Sequence, residues 1–209
     1  MVDTRHEYDS LAGLYGPIAL GVVVVVFALV LFMALRYRRR DAPPSRTADA
    51  PRLEALYVLL LSAVVVLLLV GTFTTEAKVD RVSARPGLDV AVRAAKWRWR
   101  FSYPASGIVR EATGLGPSTL VVPAGTTVRF TLTSQDVIHA FWIPERRFKR
   151  DAFPGRTTRF ELVFPRPGYY AAGGVCSEFC GLHHAQMTFN VEALTPAAFR
   201  SWVQGRGRT

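Results

Sequence analysis

The chain has 209 residues, half of them hydrophobic, and 26 Lys+Arg against 16 Asp+Glu give it a formal net charge of +10. This composition excludes a disordered or collagen-like chain. Its apolar residues are concentrated: residues 11–35 and 55–75 hold no charged side chain, whereas the rest reads as ordinary globular sequence, so two membrane spans and one compact domain are expected.

A helix rises about 1.5 Å per residue and needs roughly 20 apolar residues to cross about 30 Å of hydrocarbon. Both runs are long enough, and spans are predicted at about 14–35 and 55–75. Val22 to Val26 and Val64 to Val70 are rich in β-branched residues, yet at this length only a helix satisfies its own backbone in lipid. The intervening loop, residues 36–54, carries Arg36, Arg38, Arg39, Arg40, Arg46 and Arg52 against Asp41, Asp49 and Glu54. Before the first span stands Arg5 against Asp3, Glu7 and Asp9. The positive-inside rule places the loop in the cytoplasm and sends the N-terminus and everything beyond the second span to the outer face. A cleaved signal peptide is disfavoured, because the first span lacks a basic leader and a small-residue cleavage site and ends in an arginine cluster. Residues 1–76 are thus expected to form a transmembrane helical hairpin.

Residues 77–209 are enough for one domain with its own core. Short alternating or β-branched runs recur at Leu88–Val92, Trp97–Tyr103, Thr119–Val122, Thr127–Leu132, Thr158–Phe164 and Met187–Glu192. Pro-Gly breaks separate several of them, at Pro86-Gly87, Pro154-Gly155 and Pro167-Gly168, which implies a β-sandwich or barrel. Thr195 followed by Pro196 is an N-cap with proline at the first helical position, predicting a short helix to about Val203. From residue 80 onward the chain holds 18 Lys+Arg and 9 Asp+Glu, so nearly all the net charge sits on this domain. In a domain outside the membrane and without a nucleic-acid motif, this charge reads as solubility or, more sharply, as an acidic partner or a lipid surface, rather than as nucleic-acid binding.

The only two cysteines, Cys176 and Cys180, stand four residues apart. A disulfide would close a very small loop and remove little unfolded-state entropy. Metal ligation is the stronger alternative. Thiolate, imidazole and thioether together favour copper, and Cys180, His184 and Met187 follow one another in the order in which blue-copper sites collect ligands on one loop. The second thiolate, from Cys176, exceeds what one ion needs and implies two bridging sulfurs and a dinuclear centre. The imidazole still missing is best supplied by His139, set among the apolar residues of Val137-Ile138-His139-Ala140-Phe141. Zinc is the rival metal, but the spacing is unlike a zinc finger's and leaves Met187 without a role.

These residues, with the hairpin before them, make the chain similar to subunit II of the haem-copper cytochrome c oxidases. The resemblance rests on the loop Cys-x-Glu-x-Cys-x-x-x-His-x-x-Met, the upstream Asp-Val-x-His and the hairpin. It implies an all-β cupredoxin-like Greek-key sandwich holding a dinuclear Cu(A) centre. Cys176 and Cys180 would be the bridging thiolates, His139 and His184 the terminal imidazoles, Met187 a weak ligand, and Glu178 a ligand through its carbonyl. The Glu178 carboxylate would reach a magnesium site at the border with subunit I.

Lys96 to Tyr103 alternates with period two, which places four aromatics on one strand face with Arg98 and Arg100 opposite. The segment resembles the family's aromatic run, so Trp97 would accept the donor's electron. Glu54 matches the family's Leu-Glu-x-x-Trp element, with Tyr57 in place of the tryptophan, and would lie at the mouth of a proton-uptake path; alternatively it complements its helix N-terminus. His183 is expected to face solvent without a metal. The implied partners are a haem-bearing subunit I, further oxidase subunits, the lipid bilayer and a cytochrome c. Since the head is basic, the donor is expected to be acidic or membrane-anchored. The implied location is a bacterial plasma membrane. A nitric-oxide reductase subunit and a tethered copper chaperone or sensor are the competing readings.

Overall fold

A computed structural model describes residues 2–38 and 49–206. Of the loop charges behind the orientation argument, Arg39, Arg40, Asp41 and Arg46 lie outside the described residues. The chain divides into two compact units, residues 9–76 and residues 1–8 together with 77–209.

Two long helices make up the first unit and its extensions, α1 (Thr4–Arg36) and α2 (Pro51–Val79). Their most apolar windows have mean hydropathies of 3.2 and 2.7, long and apolar enough to cross a membrane. Each is hydrophobic all round, as a lipid-facing helix must be. Helix α1 begins well before the apolar run because Asp3 caps it: Oδ1 accepts the Arg5 N–H at 3.1 Å. Within the hairpin the Tyr15 hydroxyl shares a 2.6 Å hydrogen bond with Thr72 Oγ1. Thr72 in turn donates to the Leu68 carbonyl at 2.8 Å. Both hydroxyls therefore find partners without water, which apolar surroundings require.

The second unit is a sandwich of two five-stranded sheets. Its strands are β1 (Leu88–Ala95), β2 (Arg98–Tyr103), β3 (Ile108–Glu111), β4 (Ser118–Pro123), β5 (Thr127–Ser134), β6 (His139–Ile143), β7 (Phe148–Ala152), β8 (Thr158–Val163), β9 (Gly168–Cys176) and β10 (Thr188–Leu194). One sheet runs β3-β2-β1-β5-β8 and the other β4-β10-β9-β6-β7. The pairs β1–β5 and β4–β10 are parallel, so the chain crosses between sheets instead of running as a simple meander. Strict alternation along β5 and β10 puts every second side chain in the core. At its centre, Phe141 packs against Trp99, Phe130, Phe160 and Phe189 with ring centroids 4.9–5.8 Å apart. Helix α3 (Pro196–Arg206) closes the domain where Thr195 caps it, Oγ1 accepting the Ala198 N–H at 3.2 Å.

All six predicted strands are present, and four more join them. Strand β6 is nearly all buried and so lacks alternation, β7 is a short charged edge strand, and β9 contains adjacent glycines. None of these carries the period-two signal by which a half-buried strand is read. Gly174 in β9 is required by packing: a Cβ there would lie 1.8 Å from the Phe189 ring.

One expectation is corrected. Only Trp99, Phe101 and Tyr103 share the buried face of β2, with Arg98 and Arg100 opposite. Trp97 belongs to the turn between β1 and β2. The cause is a hydrogen bond from its indole Nε1 to the Cys180 carbonyl, 3.1 Å, which holds the ring against the cysteine loop.

Candidate metal centre

One end of the sandwich gathers the turn between β1 and β2, the turn before β6, and the long loop from the end of β9 to β10. His139 is the first residue of β6 and is wholly buried. Cys176 ends β9, and its N–H donates to the Met187 carbonyl at 2.9 Å, which pins both ends of the loop. The loop folds back through a 3-10 turn over His184–Gln186.

The sulfurs of Cys176 and Cys180 are 3.9 Å apart. His139 Nδ1 lies 3.8 Å from Cys176 Sγ, and His184 Nδ1 lies 3.5 Å from Cys180 Sγ. Met187 Sδ is 3.8 Å from Cys180 Sγ. The Glu178 carbonyl sits 3.3 Å from Cys176 Sγ. Ligand atoms of His139, Cys176 and Cys180 all fall within 4.8 Å of one another. The six residues singled out from the sequence therefore converge, from three separate elements, on one largely buried spot.

This donor set fits metal. A metal–thiolate bond is about 2.3 Å in zinc proteins, so sulfurs 3.9 Å apart are close enough for one ion to touch both. Two such sulfurs cannot both ionise in a buried site unless a cation lies between them. Electrostatics here reflect that conflict. Burial and the neighbouring Cys176 push the Cys180 thiol up to about 12. Burial also raises Cys176, but hydrogen bonds involving His139, Ala140 and Glu178 outweigh it and leave that thiol below its ordinary value. At His139, burial opposes the proton while Cys176 and Asp136 favour it, and the net direction is upward.

Asp136 entered the sequence reading only within the Asp-Val-x-His motif, with no role of its own, and it organises the site. Its carboxylate lies 2.9 Å from His139 Nε2 and accepts the N–H groups of Lys96 and Val137, both at 2.7 Å. Although burial raises its pKa, these hydrogen bonds more than offset that and hold the carboxyl below the usual range. Anchoring Nε2 leaves Nδ1 turned toward the sulfurs, which is how carboxylates orient ligating histidines. The signal was present as an acid three residues before the histidine, but that spacing is common in turns.

Trp97 stands beside the loop, next to Gly181. The glycine has φ +111°, a backbone conformation that side-chain-bearing residues rarely adopt, while a Cβ there would only touch the indole, at 3.5 Å. His183 is half-buried: part of it stays exposed while its ring packs edge-on against Trp97 at 4.7 Å. The Glu178 carboxylate lies 3.6 Å from Lys149 Nζ, which also lies 3.5 Å from Asp151. Glu54 is in the first turn of α2 and belongs to the other unit.

Residues 115–194 match the family model for the cytochrome c oxidase subunit II periplasmic domain. A probable cytochrome c oxidase subunit 2 of Streptomyces coelicolor is 30% identical over 89% of this chain and 70% of its own length. This chain belongs to the cytochrome c oxidase subunit II family. The subunit 2 of Arabidopsis thaliana is 29% identical over 99% of this chain and 84% of the relative. The crystal structure of the periplasmic domain of subunit II from Bradyrhizobium japonicum superposes with a TM-score of 0.52 at 29% identity. It covers 59% of this chain and 96% of that one. The sandwich described above is therefore the cupredoxin-like head of a subunit II.

Proposed function

We propose that this chain, a member of the subunit II family, is anchored in a membrane by its two apolar helices and carries a copper-binding head. We propose that it is the subunit that accepts electrons, with residues 1–76 as the membrane hairpin and 77–209 as the head on the outer face of a bacterial plasma membrane. Cys176, Cys180, His139, His184 and Met187, with the carbonyl of Glu178, would hold a dinuclear Cu(A) centre. The observation that carries this reading is the convergence of two thiols, two imidazoles and one thioether, each within 3.9 Å of another member. When bound, dinuclear copper supplies a one-electron store whose charge change is shared between two ions.

The chain's own residues do the remaining work. Cys176 and Cys180 place both sulfurs on one short loop whose ends are tied by the Cys176–Met187 backbone bond. The β-scaffold holds Asp136 and His139 so that one imidazole nitrogen is anchored and the other is presented. The half-buried Trp97 joins its indole N–H to the Cys180 carbonyl, a short path from the surface of the head to a sulfur. A cytochrome c, acidic or membrane-anchored, would dock there, and the haem of subunit I would receive the electron. Oxygen reduction and proton pumping belong to that partner. The Glu178 carboxylate would contribute to a magnesium site at the subunit I border, and Glu54 to the mouth of a proton path.

The test is electron paramagnetic resonance of the copper-loaded full chain in detergent, with bound copper quantified on the same sample. Two coppers per chain and hyperfine splitting from two equivalent nuclei are expected. One copper with splitting from a single nucleus would overturn the dinuclear assignment.

A further inference from the structure

A second feature lies in the unit formed by residues 1–8 and 77–209, and no residue of the copper cluster lines it. The segment ahead of the first apolar run is fastened to the turn after β6. Thr4 Oγ1 donates to the Arg146 carbonyl at 2.8 Å, Arg5 Nη1 pairs with Glu145 at 3.0 Å, and the Arg147 guanidinium lies over the Tyr8 ring at 5.3 Å. Beside this junction opens a cavity of about 630 Å³, lined by Asp3, Arg5, Glu145, Arg146, Arg166 and Tyr170 among others.

Arg146 is the unusual member. It is 8% exposed, and its Nη1 has no hydrogen-bond acceptor. Asp3 lies 3.6 Å from that nitrogen, near enough to pair electrostatically and too far to accept a hydrogen bond, and Glu145 meets Nη2 at 3.4 Å. A guanidinium sheltered from water with an unfilled donor is costly unless an oxyanion completes it. Three guanidiniums against two carboxylates leave the wall with an excess positive charge. Arg166 is on the exposed rim, where it can close over an anion.

We propose that this cavity binds a phosphate group, through Arg146 Nη1 and the Arg166 guanidinium. The phosphate comes either from a membrane phospholipid or from free inorganic phosphate. A lipid is one natural source, since Arg5 stands six residues before the charge-free run that begins at residue 11. Phe164 and Val191 add apolar wall beside the charged residues, which suits a headgroup with its first acyl carbons. Only the lipid source rests on reading α1 as a span; the phosphate site itself does not.

The full chain, purified in detergent, is titrated with phosphatidylglycerol under native mass spectrometry and with inorganic phosphate by calorimetry. The variants are Arg146→Gln, Arg166→Gln and, as a control on the other sheet, Arg159→Gln. Saturable binding of one equivalent is expected, weakened about tenfold by loss of either cavity arginine, the effect of one missing charge-assisted hydrogen bond, and unchanged by Arg159→Gln. Binding of phosphatidylglycerol alone identifies the lipid as the source, and binding of inorganic phosphate identifies the free ion. No saturable binding of either probe, unaltered affinity in both cavity variants, or an equal loss in the control would overturn the proposal. Should Arg146→Gln misfold, the exposed Arg166→Gln decides.

Discussion

Tyr103 shows how one side chain can tie two sheets. Its hydroxyl donates to the Val121 carbonyl and accepts the Val121 N–H, both at 2.8 Å, inside the core. Tyr103→Phe leaves both backbone groups without partners and is expected to cost about 1–3 kcal/mol, read as a lower unfolding midpoint of the full chain. Burial raises the phenol's pKa above its ordinary 10.0, with the Val121 hydrogen bond opposing. The folded state therefore keeps a proton that the unfolded state releases. The stability held by this difference is intact below about pH 10 and is lost as pH rises further. The Tyr103→Phe variant should lack that alkaline component in a pH series of unfolding midpoints. Gly174 acts through what it omits: Gly174→Ala drives a methyl into the Phe189 ring and is expected to destabilise the head by about 1–3 kcal/mol. A midpoint equal to that of the unsubstituted chain would show that β9 can shift.

At the scale of elements, the loop between β9 and β10 holds most of the proposed ligands and the strands give it geometry. Cys176→Ala is expected to abolish electron acceptance from cytochrome c while sparing membrane insertion; normal turnover in that variant would refute the copper assignment. Trp97→Leu removes the indole bond to Cys180 but none of the proposed ligands. It should slow electron acceptance with the copper spectrum unchanged, and a changed spectrum would instead make Trp97 a brace of the loop. The sequence reading reached both residues, Cys176 through ligand chemistry and Trp97 through resemblance. It set Trp97 on the strand face because period two continues through residue 97 on paper. In the structure the strand begins one residue later, at Arg98, and the Trp97 indole bonds to a loop 83 residues away.

For the whole molecule, charge is the property most directly tied to partners. On the proposed function, the strongly basic segment from residue 80 onward would attract an acidic donor and repel a basic one. Stopped-flow reduction by an acidic cytochrome should slow as ionic strength rises, and reduction by a basic cytochrome should speed up, because salt screens attraction and repulsion alike. The opposite pair of responses would mean that the docking face carries a local charge unlike the overall one.

The sequence by itself determined the long apolar helices, the β-rich head with its closing helix, and the clustered soft donors on which the copper proposal rests. Each of these is local: an uninterrupted apolar run, alternation along a strand, and soft ligands within twelve residues leave direct marks in order. Only the tertiary structure decided that His139 faces the cysteines, that Asp136 turns its ring, that His183 lies on Trp97, and that Arg146 is buried beside Asp3 and Arg5. Those facts depend on side chains remote in sequence meeting across sheets and turns. The free energy that selects them comes from packing and paired hydrogen bonds, which exist only once the chain has folded.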